Sequence, residues 1–517
     1  MVNKAIPGGK SPQLLRLHPR DNVLIALDRL SEGSVVDGIR LLGIIPRGHK
    51  LAAAFIDKGE PIRRYGEIIG FAACSIAQGE HVHTQNCVMH DIERDYAPAT
   101  ESRPTSYFND PTTFMGYVRE DGRVATRNYI AVIASVNCSS GTGRYVAEIF
   151  RRNPYTGESL LDSFPNVDGV VALGHKTGCG MASEGEPIDL LRRTIAGYAR
   201  HPNFGAVIMV GLGCEANQVA SLLRAEGLET SDKFKTLIIQ EIGGSRRTVE
   251  EGVARVKELL PLVNRTRREP VPAAHIKLAL QCGGSDSFSG LTANPALGHA
   301  ADLVVRHGGT AILTETTEIY GAEHLLTRRA VNPAIAQKLL DRIEWWKEYT
   351  RANGGEFDNN PSPGNKAGGL TNIVEKSLGA VVKGGSTNLV DVVRYAEPIN
   401  TPGLVVMDGP GFDPVSATGQ VASGANVLCF TTGRGSVFGC KPTPSLKLAT
   451  NTPLYNRMPD DMDINCGGIA EGTDTVEDCG DRIFSKILAV ASGEKTKSEL
   501  MGFGDDEFAP WQIGATV

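Results

Sequence analysis

The chain has 517 residues, of which 41% are hydrophobic and 22% charged, enough for roughly two to four domains with real cores and unlike a disordered chain or a fibre. Lys and Arg total 53 against 59 Asp and Glu, a net charge of −6, and aromatics are 6%, so neither a basic field nor a stacking surface invites nucleic acid. Ten scattered cysteines, an opening MVNKAIPGGK without an apolar signal core, and no apolar run near the ~20 residues of a membrane span predict a cytoplasmic, non-membrane protein with reduced thiols.

Residues 1–95 read as a small all-β module. Short β-prone pieces at 22–27, 38–42, 51–56 and 68–73 are separated by turns such as Arg47-Gly48-His49-Lys50. His81-Val82-His83 closes the module, and in extended chain residues i and i+2 share a face, so both imidazoles would point one way, as metal ligands or as acid and base. The stretch 96–126 is rich in Pro, Ser, Thr and Asp, and its composition predicts a linker.

After residue 127 the pattern becomes α/β. Apolar runs at 129–136, 167–173, 206–210 and 276–280 each end in a Gly- or Ser-rich turn and are followed by amphipathic stretches. That is the signature of a parallel sheet covered on both faces, with ligands bound beyond the carboxyl ends of its strands. The segment RTRREPVP, 265–272, divides the expected α/β domain 127–270 from a C-terminal α/β domain, 271–517.

Each of the four turns carries one cysteine: Cys138, Cys179, Cys214 and Cys282. A single cysteine after a strand is usually packing, but four in equivalent places on a ligand-binding edge raise the weight of a functional reading. With His175 and Glu215, the first three make a set suited to iron, zinc or manganese; three thiolates with an open position would suit an iron–sulfur centre. Cys282 stays undecided between packing and ligation, because its neighbours Ser285 and Asp286 are candidates to hold substrate. Lys366, beside Asn365 in SPGNKAGG, and Arg434, in TTGRG, place cations among turn formers, as recognition of a carboxylate requires. Neither SSGTG nor CGGSDS is G-x-G-x-x-G, and G-x-S-x-G, H-E-x-x-H and zinc-ribbon spacings are missing, which weakens nucleotide, hydrolase and structural-zinc readings.

Together RYGEIIGFA, GEHVHTQN, GHKTGCG, GLGCEANQ, QCGGSDSFSGLTANPALG, NPSPGNKAGGL, TTGRGSVFG and MDINCG resemble the altronate/galactarate dehydratase family, in family order along nearly the whole chain. GEHVHTQN and TETTEIYGAEHLL look more like the altronate enzymes, whereas SATGQVASGANVLCFTTGRG and MDINCGGI look more like the galactarate enzymes. The resemblance implies an N-terminal β-clip module of the SAF type on a large Rossmann-like catalytic region. It further implies an iron-dependent hydro-lyase, with manganese as the alternative metal, that turns a sugar acid such as D-altronate, or galactarate, into a 2-keto-3-deoxy product. The superfamily also includes sulfolactate sulfo-lyases.

Dehydration of a 2,3-dihydroxy acid removes a weakly acidic proton beside the carboxylate and expels a poor leaving group. A metal can stabilise the enediolate, and a placed acid and base each add about 10²–10⁴-fold. The expected site has His83, His175 and Lys366 as acid–base candidates. Arg434, Ser285, Asp286 and Asn365 are expected on the substrate, and Cys138, Cys179, Cys214 and Glu215 on the metal. The expected partner is a small sugar acid, and the expected assembly a homo-oligomer, a dimer.

Overall fold

The computed structural model describes residues 13–90, 94–153 and 155–516. The opening segment read for a signal peptide, and with it the first twelve residues of the expected β module, lies outside them.

Residues 13–90 form strands and turns with no helix among the described residues. A four-stranded antiparallel sheet joins Leu14–Leu15, Val23–Ala26, Lys50–Ala52 and His81–Val82. Beside it, Pro61–Arg64 and Glu67–Ala72 form a hairpin extended by Cys87–Val88. The strands are short because turn residues recur every few positions, and Leu24, Leu41, Ile45 and Leu51 give the module its own buried cluster.

The stretch expected as a linker is ordered by the domains it joins. Residues 99–108 run along the large region through backbone bonds from Ala99 to Thr327, Glu101 to Arg328 and Phe108 to Arg306. Thr113–Val118 then pairs antiparallel with Arg268–Pro272, the segment taken as a subdomain boundary, and with Val124–Ala125. Composition hid these strands because they are short and set among Pro, Ser, Thr and Asp; Phe114, Val124 and Val271 face inward while Thr113 and Met115 face solvent.

The middle region is a four-stranded parallel sheet of β1 (Tyr129–Ala134), β2 (Gly169–Leu173), β3 (Phe204–Gly211) and β4 (Phe234–Ile238), in the order β2-β1-β3-β4. Helices α1 (Asn137–Glu148) and α3 (Ser245–Val263) lie against each other, and α2 (Glu186–Ala199) contacts the last region. The last region is a seven-stranded all-parallel sheet: β5 (Lys277–Cys282), β6 (Thr310–Leu313), β7 (Leu389–Val393), β8 (Gly403–Met407), β9 (Val427–Thr432), β10 (Ser445–Ala449) and β11 (Ile464–Asn465), ordered β7-β8-β6-β5-β9-β10-β11. Strands β8, β9 and β10 are buried throughout, as continuous apolar runs in a two-sided parallel sheet should be. The architecture is the expected one, a small all-β unit on a large parallel α/β region. The four cysteine-bearing turns divide, however, three over the four-stranded sheet and Cys282 at the end of β5 in the other. No helix among the described residues is long and apolar enough to cross a membrane.

Candidate active site

The small module meets the seven-stranded sheet through the turn Arg47-Gly48-His49-Lys50. Gly48 has φ +81°, and a Cβ there would stand 3.2 Å from the Phe288 ring; opposite it, Gly369 has φ +100°, and its Cβ would lie 2.5 Å from the Gly48 carbonyl oxygen. Two glycines let the two backbones touch. The Arg47 guanidinium sits 4.5 Å from the Phe288 ring centroid.

Under the turn lies a buried charge cluster. Lys50 Nζ donates to the Gly369 carbonyl at 2.7 Å and to the two Glu375 carboxylate oxygens at 2.8 and 2.9 Å. Arg64 donates to the same carboxylate and, at 2.7 Å, to the Ser287 carbonyl. Burial works to raise the Glu375 pKa, but Lys50, Arg64 and the Thr371 hydroxyl outweigh it and hold it at about 2. Burial lowers the Lys50 pKa by stripping water from the ammonium, and the charge of Arg64 adds to this against the pull of Glu375. The direction that governs the cluster is that of Glu375, which two cations face at once. Removing one partner of such a set costs about 3–5 kcal/mol. The module is thereby fixed to the large region.

The open side of the turn presents three imidazoles. His49 Nδ1 lies 3.0 Å from His81 Nε2, and His49 Nε2 lies 3.2 Å from the Ala367 carbonyl. Since a carbonyl only accepts, His49 carries its proton on Nε2 and its Nδ1 accepts from His81. Ring centroids of His49, His81 and His83 are 4.8, 5.1 and 5.5 Å apart, and His83 Nδ1 is buried with no hydrogen-bond partner. Burial, with the charge of Lys50 added, lowers His81 to about 4 and His83 to about 3. The trio is uncharged at neutral pH, the form in which imidazole ligates metal.

The facing wall comes from the short helix Pro363–Ala367 and the turns after β5 and β9. Asn365 donates to the Ser285 carbonyl at 2.8 Å and closes a capping box with Ser362. Lys366 is about one-third exposed, with Nζ 3.6 Å from Asp358. The buried Asp286 carboxylate accepts from Ser289 N at 3.0 Å, Thr450 Oγ1 at 3.1 Å and Asn451 Nδ2 at 3.3 Å. Ser285 Oγ is buried without a partner. Arg434 donates its backbone N–H to the Gly284 carbonyl at 2.9 Å, while its exposed guanidinium has no hydrogen bond or ion pair among the described residues.

His83, Lys366, Asn365, Ser285, Asp286 and Arg434, all expected from sequence, thus gather at one junction. Their bonding sorts them. Asp286 and Asn365 are saturated and position the turns, whereas Ser285, Lys366, Arg434 and the imidazoles of His81 and His83 keep free polar atoms. The other five residues belong to the four-stranded sheet. His175 is buried, with Nε2 3.0 Å from the Ala134 carbonyl and Nδ1 accepting from Thr177 N, so both nitrogens are used. Glu215 accepts from Leu212 N and Gly213 N inside its own turn and from Ser135 Oγ in the turn after β1. Cys138, Cys179 and Cys214 are exposed, and the four expected metal ligands do not all lie within 4.8 Å of one another.

Behind the junction is a second buried cluster. Lys383 Nζ donates to Cys282 Sγ at 2.7 Å; Lys376 Nζ donates to Glu318 at 2.6 Å and to Asn360 at 2.9 Å. Burial, then Glu318, pushes Glu315 well above the carboxylate range, and Asp413 is raised to about 7 for the same two reasons. A cavity of about 10 Å³, lined by Cys282, Ser285, Asp286, Glu375 and Lys376, joins the two clusters. Glu315, Glu318, Lys376 and Lys383 were missed from sequence, although Glu and Lys inside the apolar IVEKSLGAVVKG are the kind of signal that marks paired buried charge.

Cys282, Glu315 and Glu318 offer ligand atoms within 4.8 Å of one another. Two ammonium groups already neutralise them, and a dication would have to displace both. The ligand nitrogens of the imidazole trio do not all lie within 4.8 Å of one another, and both nitrogens of His49 are engaged, so the trio as it stands is no three-ligand site; the imidazoles open to a metal are His83, through its orphaned Nδ1, and His81, through the nitrogen that does not face His49.

Three family profiles match the chain: an altronate/galactarate dehydratase SAF domain over residues 12–90, the second domain of D-galactarate dehydratase/altronate hydrolase over 116–264, and a D-galactarate/altronate dehydratase C-terminal domain over 273–516. The chain is similar to galactarate dehydratase (L-threo-forming) of Escherichia coli, 40% identical over 93% of each chain. It is similar to altronate dehydratase of Bacillus subtilis, 35% identical over 97% of this chain and 99% of that one. It is also similar to the (2R)-sulfolactate sulfo-lyase subunit beta of Chromohalobacter salexigens, 29% identical over 75% of this chain and 95% of the relative.

Proposed function

The chain belongs to the galactarate/altronate dehydratase family of sugar-acid hydro-lyases, and from that premise we propose that it dehydrates a six-carbon aldarate of the galactarate type at the junction of its β module and its seven-stranded sheet. The observation that carries the choice is the number of cations there. Arg47, Lys366 and Arg434 all border the Asp286 turn, and the guanidinium of Arg434 is uncommitted. A substrate with a carboxylate at each end uses two such groups, whereas an aldonate such as D-altronate uses one. The greater identity to the galactarate enzyme points the same way.

In this reading Arg434 grips the carboxylate beside the reacting carbon through its planar fork, and Arg47 or Lys366 holds the far end. His81 and His83 would offer the metal, ferrous iron or manganese, their free nitrogens, with His49 orienting His81, and the ion when bound would supply Lewis acidity to a substrate oxygen. Lys366, partly exposed and one residue before the Ala367 carbonyl that fixes His49, takes the proton from the carbon next to the carboxylate. The unpartnered Ser285 hydroxyl donates to a substrate hydroxyl and so orients it. Asp286 and Asn365 act at one remove by fixing the turns that carry these groups, and the packed turn Arg47–Lys50 keeps bulk water from the developing enediolate.

The test is an anaerobic panel of galactarate, D-altronate and sulfolactate with ferrous or manganous ion, scoring 2-keto acid and sulfite. Keto-acid formation fastest with galactarate supports the reading. Preference for altronate overturns the substrate assignment, and sulfite release from sulfolactate as the fastest reaction overturns dehydration as the main activity.

A further inference from the structure

The cysteine turns of the four-stranded sheet take no part in the junction, yet they are built with care. Strands β2, β1 and β3 are consecutive in the sheet, so Cys179, Cys138 and Cys214 follow three neighbouring carboxyl ends. Hydrogen bonds sew the turns together. Asn137 N donates to Thr177 O at 2.9 Å, Asn217 N to Gly178 O at 3.0 Å, and Asn217 Nδ2 to Ser135 O at 3.0 Å. A Cβ on Gly178, which has φ +96°, would be 2.7 Å from the Ser135 carbonyl, so the first two turns are in contact.

The thiols are exposed while the frame around them is buried: Ser135, Ser139, His175, Glu215 and Asn217 are all inaccessible. That inverts the usual habit of unliganded cysteine, which packs inward as a small apolar group. Cys138 is the second residue of α1, a twelve-residue helix whose N-cap is Val136, with no side-chain cap and no acid in its first turn. The helix N-terminus thus carries no acidic side chain of its own beside Cys138. Cys214 Sγ accepts from Gln240 Nε2 at 3.3 Å, a hydrogen bond of the kind that tunes a ligating sulfur.

The ligand count narrows the occupant. The three sulfurs, with or without Glu215, are not all within 4.8 Å of one another, so as they stand they are not a single-ion site, whereas a cluster takes each thiolate on a different iron. The two other ligating side chains of these turns are spent, His175 on Ala134 O and Thr177 N, Glu215 on its own turn and on Ser135 Oγ. We propose that Cys138, Cys179 and Cys214 bind an iron–sulfur cluster of the four-iron type, three irons each held by one thiolate and the fourth without a protein ligand. On ligation the three thiols release three protons to solvent, and the iron and sulfide come from outside the chain. The fourth iron is open to a small oxygen donor, a carboxylate or hydroxyl of the hydroxy-acid class. This site is separate from the histidine trio and does not depend on the choice of substrate made above.

The test is made on the full chain, purified without oxygen and reconstituted with ferrous iron and sulfide. Iron and acid-labile sulfide per chain, the visible absorption and the Mössbauer spectrum are read for wild type, for Cys138→Ser, Cys179→Ser and Cys214→Ser, and for Cys74→Ser, an exposed cysteine of the β module. Wild type and Cys74→Ser are expected to hold nearly equal iron and sulfide, with one iron site distinct from the rest. Each of the three turn variants is expected to lose the labile sulfide and the visible band while keeping the wild-type melting temperature. Iron without labile sulfide in wild type, or sulfide in the turn variants equal to wild type, overturns the proposal.

Discussion

His49 Nδ1, in the turn that leads into one strand of the small module, stands 3.0 Å from His81 Nε2 on the neighbouring strand, and the same His49 ring reaches across to the Ala367 carbonyl of the large region. One imidazole therefore belongs to two domains. The ring that orients His81 is held only while the module stays docked.

Docking rests on Glu375. Glu375→Gln leaves Lys50 and Arg64 buried against a neutral amide, and its expected cost is about 3–5 kcal/mol. Denaturant unfolding of the variant checks this. A loss below about 1 kcal/mol would show that the cluster does not hold the module.

The same carboxylate sets an acid limit. Its folded pKa is about 2, against about 4.3 when unfolded. A depressed carboxylate contributes stability fully above its unfolded pKa and loses it as pH falls towards the folded value. The stability gap between wild type and Glu375→Gln is expected to be constant near neutrality and to close between about pH 4.5 and pH 2. A gap unchanged over that range would contradict the charge assignment.

Gly369→Ala tests the contact itself. The residue has φ +100°, and a methyl group would meet the Gly48 carbonyl at 2.5 Å. Strain of about 1–3 kcal/mol is expected, with reduced turnover because the His49 turn is pushed outward. Wild-type stability and rate would mean that the turn docks differently.

Lys366 and Arg434 have separable roles. Lys366→Arg keeps the charge but not the proton acceptor, and is expected to lower kcat by about 10²–10⁴-fold with little change in KM. Arg434→Lys loses the fork, and is expected to raise KM by about tenfold or more, the value of one charged hydrogen bond. Equal effects on both constants in both variants would merge the two roles.

Much of this was legible in the sequence. The apolar runs before Asn137, Gly174, Gly211 and Gln281 predicted the strands, and the Gly-rich turns after them predicted the sheet edge, because β-branched runs and glycine act locally. Strand order was not legible, so the Cys282 turn was grouped with three turns of a different sheet. His175 and Glu215 were read as free chemistry, and only the fold shows their polar atoms turned inward to backbone partners. His49 escaped notice because a histidine in a turn carries no spacing signal; its meaning comes from Ala367, 318 residues away.

The central claim is that the imidazoles at the domain junction serve the reaction. Bound ferrous or manganous ion and 2-keto acid formation should be measured together on His81→Ala, with circular dichroism and melting temperature confirming the fold. The expected result is a folded protein that has lost the activating metal at the junction and nearly all turnover, while iron bound with labile sulfide, counted separately, is unchanged. A folded His81→Ala enzyme with wild-type turnover and undiminished metal activation would contradict the account.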